Sequence, residues 1–283
     1  MNKNLAFALT IVFCLTWFSS RAQTEVMYKQ ADTTRLYVEV ITPPGFTPEK
    51  QYPAMVFFFG GGWKSGNRYH LENQARYLAK RGMVCFLADY RTENKNGTTP
   101  FEALKDAKSA MRFVRKNASR FSIDPNKIVA GGGSAGGHLA AATALTDKDK
   151  YNEDSDDLSV SCVPNALVLY NPVIDSGPGA YGYVRVKEQY KDFSPLHNIK
   201  EGAPPTIFLL GTNDNLVPVV TAEYFKMAME KMGNTCELIL YEGQGHGFFN
   251  YTNLEYYKKT LEATDDFLQS LGYLNTKPKV VIE

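Results

Sequence analysis

Ser134, Asp214 and His246 are the side chains of this 283-residue chain whose types, order and surroundings suit acyl chemistry. Ser134 lies in Val129-Ala130-Gly131-Gly132-Gly133-Ser134-Ala135-Gly136-Gly137-His138, which reads as an apolar strand, a tight turn and a small-residue helix. The Gly132-x-Ser134-x-Gly136 spacing leaves room for a strained backbone at the serine and lets the helix pack close to the strand. A serine hydroxyl is a weak nucleophile unless a base sits beside it, so the motif calls for a histidine and a carboxylate. Asp214 follows a strand-like run, in Leu210-Gly211-Thr212-Asn213-Asp214-Asn215-Leu216-Val217-Pro218, and His246 follows the next, in Gly243-Gln244-Gly245-His246-Gly247-Phe248. The separations are 80 and 32 residues. In that order His246 would take the serine proton and return it to the leaving group, and Asp214 would hold the imidazole tautomer. Asp175, which follows Ile174 after another strand, competes for the role of the acid.

Such a nucleophile also needs donors for the oxyanion it creates. Phe58-Phe59-Gly60-Gly61-Gly62-Trp63 ends a strand-like run, and the backbone N–H groups of Gly61 and Gly62, with that of Ala135, are expected to converge there. Losing one such donor typically removes ~2.7–4 kcal/mol of transition-state stabilisation. Trp63, Tyr90, Phe248 and Phe249 read first as core or pocket wall, and among them Trp63, which abuts these glycines, is the candidate expected to contact substrate and crowd the acyl side. The remaining candidates read as structural. His138 falls on the helix after the turn and is expected to pack there. His70 and His197 are isolated in sequence and read as surface residues, Lys64 and Arg91 as solvent-facing or ion-paired.

The elements that must position these groups alternate. Strand-like segments at 36–42, 54–59, 84–88, 128–130, 166–170, 206–210 and 237–241 are interleaved with helical ones at 71–80, 103–117, 137–145, 221–232 and 254–271. In the second helix, Ala103, Ala107, Ala110, Met111 and Val114 share one face, with Lys and Arg on the other. The alternation predicts an α/β fold, a mostly parallel sheet with helices on both faces. Working residues in such sheets gather at the carboxyl ends of the strands, where each candidate above falls. Two segments break the pattern. The polar run 147–161 reads as surface loop, and 175–205, with Gly177, Pro178, Gly179 and several tyrosines, as a small cap over the site.

Bulk properties narrow the function classes. The chain is 44% hydrophobic and 22% charged, as a globular protein with one sizeable core would be. Lys3, the apolar stretch from Leu5 to Phe18 and Ser20-Arg21-Ala22 have the form of an export signal, which puts residues 1–22 in the leader and the mature start near Gln23. Those 14 residues are too few to span a bilayer comfortably, so the mature chain, residues 23–283, is expected to be periplasmic or secreted with no membrane span. Removing Lys3 and Arg21 leaves 29 basic against 30 acidic residues, a poor balance for nucleic acid or anionic membranes. Cys85, Cys162 and Cys236 remain, too few for a disulfide framework, and no Cys/His spacing suggests a metal or other cofactor.

Taken together, these motifs resemble those of the α/β-hydrolases of the hormone-sensitive-lipase-like group, and most of all the acetyl-xylan and feruloyl esterase branch. The likeness runs from about Pro53 to Gly272 and includes Asp89-Tyr90-Arg91, Arg120-Phe121-Ser122-Ile123-Asp124-Pro125 and Ser194-Pro195-Leu196. It implies the α/β-hydrolase fold with a small cap insertion, no cofactor, and a serine carboxylesterase acting on short acyl esters, acetyl first, of small molecules or oligosaccharides. One departure stands out. The family's oxyanion motif usually begins with a histidine that braces the loop, and Phe59 occupies that position here. Gly131-x-Gly133-x-x-Gly136 also matches a dinucleotide fingerprint, but it sits mid-chain, and the later acids Asp154, Asp156 and Asp157 fall in a polar loop. Two rivals share the fold: a prolyl-oligopeptidase-like peptidase with the same residue order, and a binding module, which could dispense with the nucleophile or base.

Overall fold

The computed structural model, which describes residues 24–276, builds one sheet from β1 (Thr24–Ala31), β2 (Thr34–Ile41), β3 (Tyr52–Phe58), β4 (Val84–Ala88), β5 (Ile123–Gly133), β6 (Ala166–Tyr170), β7 (Thr206–Gly211) and β8 (Cys236–Tyr241). Their order is β1-β2-β4-β3-β5-β6-β7-β8. β1 pairs with β2, and β2 with β4, antiparallel, while every other pairing is parallel. The expected leader and the start near Gln23 lie outside the described residues. No helix among the described residues is long and apolar enough to cross a membrane.

Every residue of β4, β6 and β7 is buried, which is why these strands read as continuous apolar runs: both faces are covered. Val56, Phe58, Phe86, Leu169 and Phe208 point to one core, under α3 (Pro100–Lys116), α4 (Ala135–Leu145) and α7 (Val219–Lys231). Met55, Phe57, Leu87, Val168 and Tyr170 point to the other, under α1 (Glu72–Lys80) and α8 (Leu254–Ser270), while the single turn α2 (Glu93–Asn96) buries no residue. The switch of face at each successive residue is the two-residue period of a strand. α3 starts on a capping box of Thr99 and Glu102 with Pro100 at its first position, a strong start signal. α4 is buried all round, so its small residues serve close packing and no amphipathic face is possible.

Two elements differ from the sequence reading. β1 was not predicted, because it is a half-exposed edge strand with few buried positions. Part of the basic side of α3 is not solvated either. Lys108 is fully buried and donates to the carbonyls of Asp147 and Lys150, both at 2.7 Å, while Arg112 holds Asn152, Asp156 and the carbonyl of Val160. Segment 147–161 is thus irregular in backbone but tied down by buried cations of α3. Arg91 is buried against Asp106, which also takes Lys29 of β1 at 2.6 Å, and Glu153 closes the group. The cap segment forms four short helical turns: α5 (Tyr183–Val186), α6 (Tyr190–Phe193), and two 3-10 turns, Lys187–Gln189 between them and Pro195–Asn198 after them.

Candidate active site

The turn between β5 and α4 places Ser134 at φ 54° and ψ −118°, a backbone region that L-residues rarely adopt and that functional turns hold under strain. The positions two residues to either side must be glycine. A Cβ at Gly136 would lie 2.0 Å from the Phe58 carbonyl oxygen, and one at Gly132 2.4 Å from the Gly136 backbone. The Ser134 amide donates to the Tyr170 carbonyl at 3.0 Å, so β6 holds the turn from the side.

The three residues picked from the sequence meet at this point. His246 Nε2 is 2.8 Å from Ser134 Oγ, and His246 Nδ1 is 2.7 Å from Asp214 Oδ2. Asp214 Oδ1 accepts the amides of Leu216 at 2.8 Å and Val217 at 2.9 Å, and the side chain is fully buried. A carboxylate so held cannot rotate away from the imidazole. The loops carrying the two residues are locked together: a Cβ at Gly211 would strike the Gln244 carbonyl at 2.1 Å, and the Asn213 amide donates to that carbonyl at 2.9 Å. Asp175 lies elsewhere, 3.4 Å from His197 and bonded to the Gly177 amide.

Asn171 joins this group without any prior expectation. It is fully buried, its Nδ2 is 3.4 Å from His246 Nε2, and its Oδ1 accepts the Gly247 amide at 3.0 Å. Its position directly after β6 was the available signal, since loops at strand carboxyl ends carry working residues.

The loop after β3 turns at Gly61 (φ 124°) and Gly62 (φ 63°), values that favour glycine. The Gly61 carbonyl closes the turn by accepting the amides of Lys64 and Ser65. Ala135 opens α4, and the first amides of a helix have no intrahelical acceptor. Trp63, expected to contact substrate, is 1% exposed. Its ring packs edge-on to His138 at 5.0 Å and against Phe193 at 5.7 Å, and Arg185 lies over it. Because its backbone takes a left-handed turn (φ 58°), the side chain is carried inward beneath the cap. The sequence expectation is therefore corrected: Trp63 supports the loop from behind. Arg185 also donates to the Gly62 carbonyl, and the Tyr181 hydroxyl sits where a Gly62 side chain would be, so the cap is fastened to the glycine loop.

His138 is buried, with Nε2 3.0 Å from the Phe193 carbonyl, and burial pushes its pKa down to about 3. It packs as expected, between the rings of Trp63 and Phe193. His70 is partly open to solvent, as read, but it is not isolated. Its Nδ1 accepts the Gly60 amide at 2.9 Å and its Nε2 meets Asn250 Oδ1 at 2.8 Å. Where Phe59 replaces the usual histidine, its ring stacks on Tyr90 at 3.8 Å, and the Tyr90 hydroxyl donates to the Phe59 carbonyl.

Residues 39–176 match the BD-FAE family, and residues 166–274 the dienelactone hydrolase family. Among solved structures, the apo form of Thermogutta terrifontis esterase 2 superposes with a TM-score of 0.86 at 41% identity, covering 90% of this chain and 97% of that one. The chain belongs to the BD-FAE-like esterases of the α/β-hydrolase fold. The same T. terrifontis protein with propionate bound gives a TM-score of 0.85 at 41% identity over 90% of this chain and 97% of that one. By sequence, this BD-FAE-like chain is 28% identical to the acetylxylan esterase of Xylanibacter ruminicola over 87% of its length and 52% of the relative's. It is 30% identical to esterase LipC of Mycobacterium tuberculosis over 71% of its length and 54% of the relative's. The chain thus spans about half the length of the curated relatives it matches.

Proposed function

We propose that this chain is a serine carboxylesterase that transfers a short acyl group, acetyl first, from a carbohydrate hydroxyl to water by way of an acyl-Ser134 intermediate. The observation that carries the reading is the unbroken Ser134–His246–Asp214 line of 2.8 and 2.7 Å bonds on a strained turn. In the first step Ser134 Oγ attacks the ester carbonyl carbon while its proton passes to His246 Nε2. The tetrahedral oxyanion is stabilised by the amides of Gly61, Gly62 and Ala135. As it collapses, the C–O bond to the alcohol breaks and His246 returns the proton to the departing oxygen. Water, deprotonated by His246, then attacks the acyl carbon, and the proton goes back to Ser134 as the acid leaves. Asp214 holds Nδ1–H inward throughout and stabilises the imidazolium.

The substrate reading has separate support. A groove of about 430 Å³ opens between the cap and the loop after Asp214, lined by Asp175, Tyr181, Asn215, Leu216 and Thr221. Leu216 bonds Asp214 and Tyr181 lies against Gly62, so both walls run on from the site. A carboxylate, an amide, a hydroxyl and an aromatic edge suit a polyhydroxylated alcohol better than an alkyl chain. The relatives that bind propionate or are named acetylxylan esterase point the same way, and the leader-like residues 1–22 support export toward such substrates. The test is acetate release from acetylated xylan and other acetylated glycans, beside nitrophenyl esters of rising acyl length and a peptide amide. Turnover of the peptide but not the esters would replace this reading with the peptidase.

A further inference from the structure

The two loops that frame the reacting carbonyl, one carrying Gly61 and Gly62 and the other His246, are joined through a side chain that the mechanism above does not use. His70 accepts the Gly60 N–H on Nδ1 at 2.9 Å, so the ring proton sits on Nε2 and is donated to Asn250 Oδ1 at 2.8 Å. Asn250 belongs to the histidine loop: its amide donates to the Gly247 carbonyl at 3.1 Å, and the Gly247 amide in turn donates to Asn171. A Cβ at Gly60 would lie 3.1 Å from both the His70 ring and the Gly133 carbonyl, so Gly60 is held between His70 and the residue before the nucleophile. Phe249 presents its edge to the imidazole at 5.8 Å.

We infer that His70 is a positioning residue for the oxyanion amides, and that it does from outside the loop what a histidine at position 59 would do from within. The inference rests on the reading of Gly61 and Gly62 as oxyanion donors, but its test varies a residue that touches neither substrate nor Ser134.

Only the neutral ring can serve. A protonated imidazole carries a hydrogen on both nitrogens and repels the Gly60 N–H in place of accepting it. Crowding by protein atoms holds the His70 pKa below its ordinary value, and the Asn250 bond opposes this only in part. The titratable and charged groups on the segments around it are Arg68, Tyr69 and Glu72 of its own turn, Lys64 of the glycine loop, and His246 and Tyr251 of the histidine loop. Arg68 is paired with Glu25 and Asp89, and Glu72 with Arg76. The brace therefore holds at neutral pH and is released in acid.

Three variants test this: His70→Ala, His70→Asn, whose Oδ1 can accept the Gly60 amide, and His70→Lys, a fixed cation with no acceptor. kcat and KM are measured on nitrophenyl acetate, with the melting temperature of each variant and the pH profile of kcat/KM. Small displacements of positioned groups lower rates by up to about 10²-fold, so His70→Ala and His70→Lys are expected to lose at least about tenfold in kcat with KM within about twofold. His70→Asn should recover most of that loss and lose one component of the acid limb. All three should melt close to the parent, because the ring is partly solvent-exposed. Unchanged kcat in His70→Ala would overturn the inference. So would a His70→Asn variant as slow as His70→Ala at the parent's melting temperature. Failure of the proposed esterase function itself would show differently, as a parent protein that turns over no ester.

Discussion

Asp214 and His246 are fixed to each other from both sides, with Oδ2 2.7 Å from Nδ1 and the other carboxylate oxygen tied to the Leu216 and Val217 amides. Asp175, its rival in the sequence, spends its Oδ1 on Gly177 and His197. Asp214→Asn keeps the shape but favours the wrong imidazole tautomer, and a loss of about 10⁴-fold in kcat is expected, as for other triads. Asp175→Asn should change turnover of nitrophenyl acetate by no more than a few-fold. Parallel kcat measurements decide between them, and a larger loss in Asp175→Asn would remove Asp214 from the mechanism.

Ser134→Ala deletes one hydroxyl at a turn whose backbone is set by Gly132, Gly136 and the Tyr170 carbonyl. Ester turnover should vanish while the melting temperature stays within a few degrees of the parent. Because members of a triad act as a unit, His246→Ala should be nearly as damaging and the double variant scarcely worse. Intact-mass analysis after a slow ester should show one added acyl group in the parent and none in Ser134→Ala. An acylated Ser134→Ala protein would place the nucleophile elsewhere.

The catalytic line was legible in the sequence because its members obey local rules. Ser134 needs glycines at fixed offsets, and Asp214 and His246 each follow a buried strand. Burial on both faces also made most of the sheet visible as apolar runs. What stayed hidden depends on long-range packing. β1 has no continuous apolar run, being an edge strand. Lys108 and Arg112 look like a solvated helix face until segment 147–161 folds over them. Asn171 and His70 act through single hydrogen bonds to backbone groups 76 and 10 residues away, which no spacing rule announces. Trp63 was misread because proximity in sequence to the glycines gave its position, while its positive φ decided the direction of its side chain.

His138 predicts an acid sensitivity of the fold. It is fully buried and its pKa is lowered to about 3 by burial, while in the unfolded chain it returns to about 6.5. Below about 6.5 the unfolded state binds a proton that the folded state refuses, so stability falls with pH at up to about 1.4 kcal/mol per unit from this residue. His70, also lowered, adds to the same slope. Between pH 4 and 5.5, the stability of His138→Gln from urea unfolding should fall with pH on a slope shallower by close to one proton than the parent's. An unchanged slope would mean that His138 is protonated in the folded protein.

Trp63 offers the sharpest contrast between what its place in the sequence suggests and what its surroundings allow. A ring lining the acyl side would set acyl length, and its removal would admit longer esters. The ring is instead enclosed by His138, Phe193 and the Arg185 side chain at the back of the glycine loop. Trp63→Ala should therefore act first on stability, by about 3–5 kcal/mol as for other buried aromatic truncations. Trp63→Phe leaves a smaller void and keeps the fold testable. In that variant kcat should fall as the loop loosens, while the ratio of acetyl to butyryl turnover stays within about twofold of the parent, since one extra methylene in a pocket it shaped would be worth ~0.8 kcal/mol or more. Measuring kcat/KM for nitrophenyl acetate, propionate and butyrate across parent and variant checks this. A marked shift toward butyrate in Trp63→Phe would return the ring to the acyl pocket and show that the cap opens far enough to expose it.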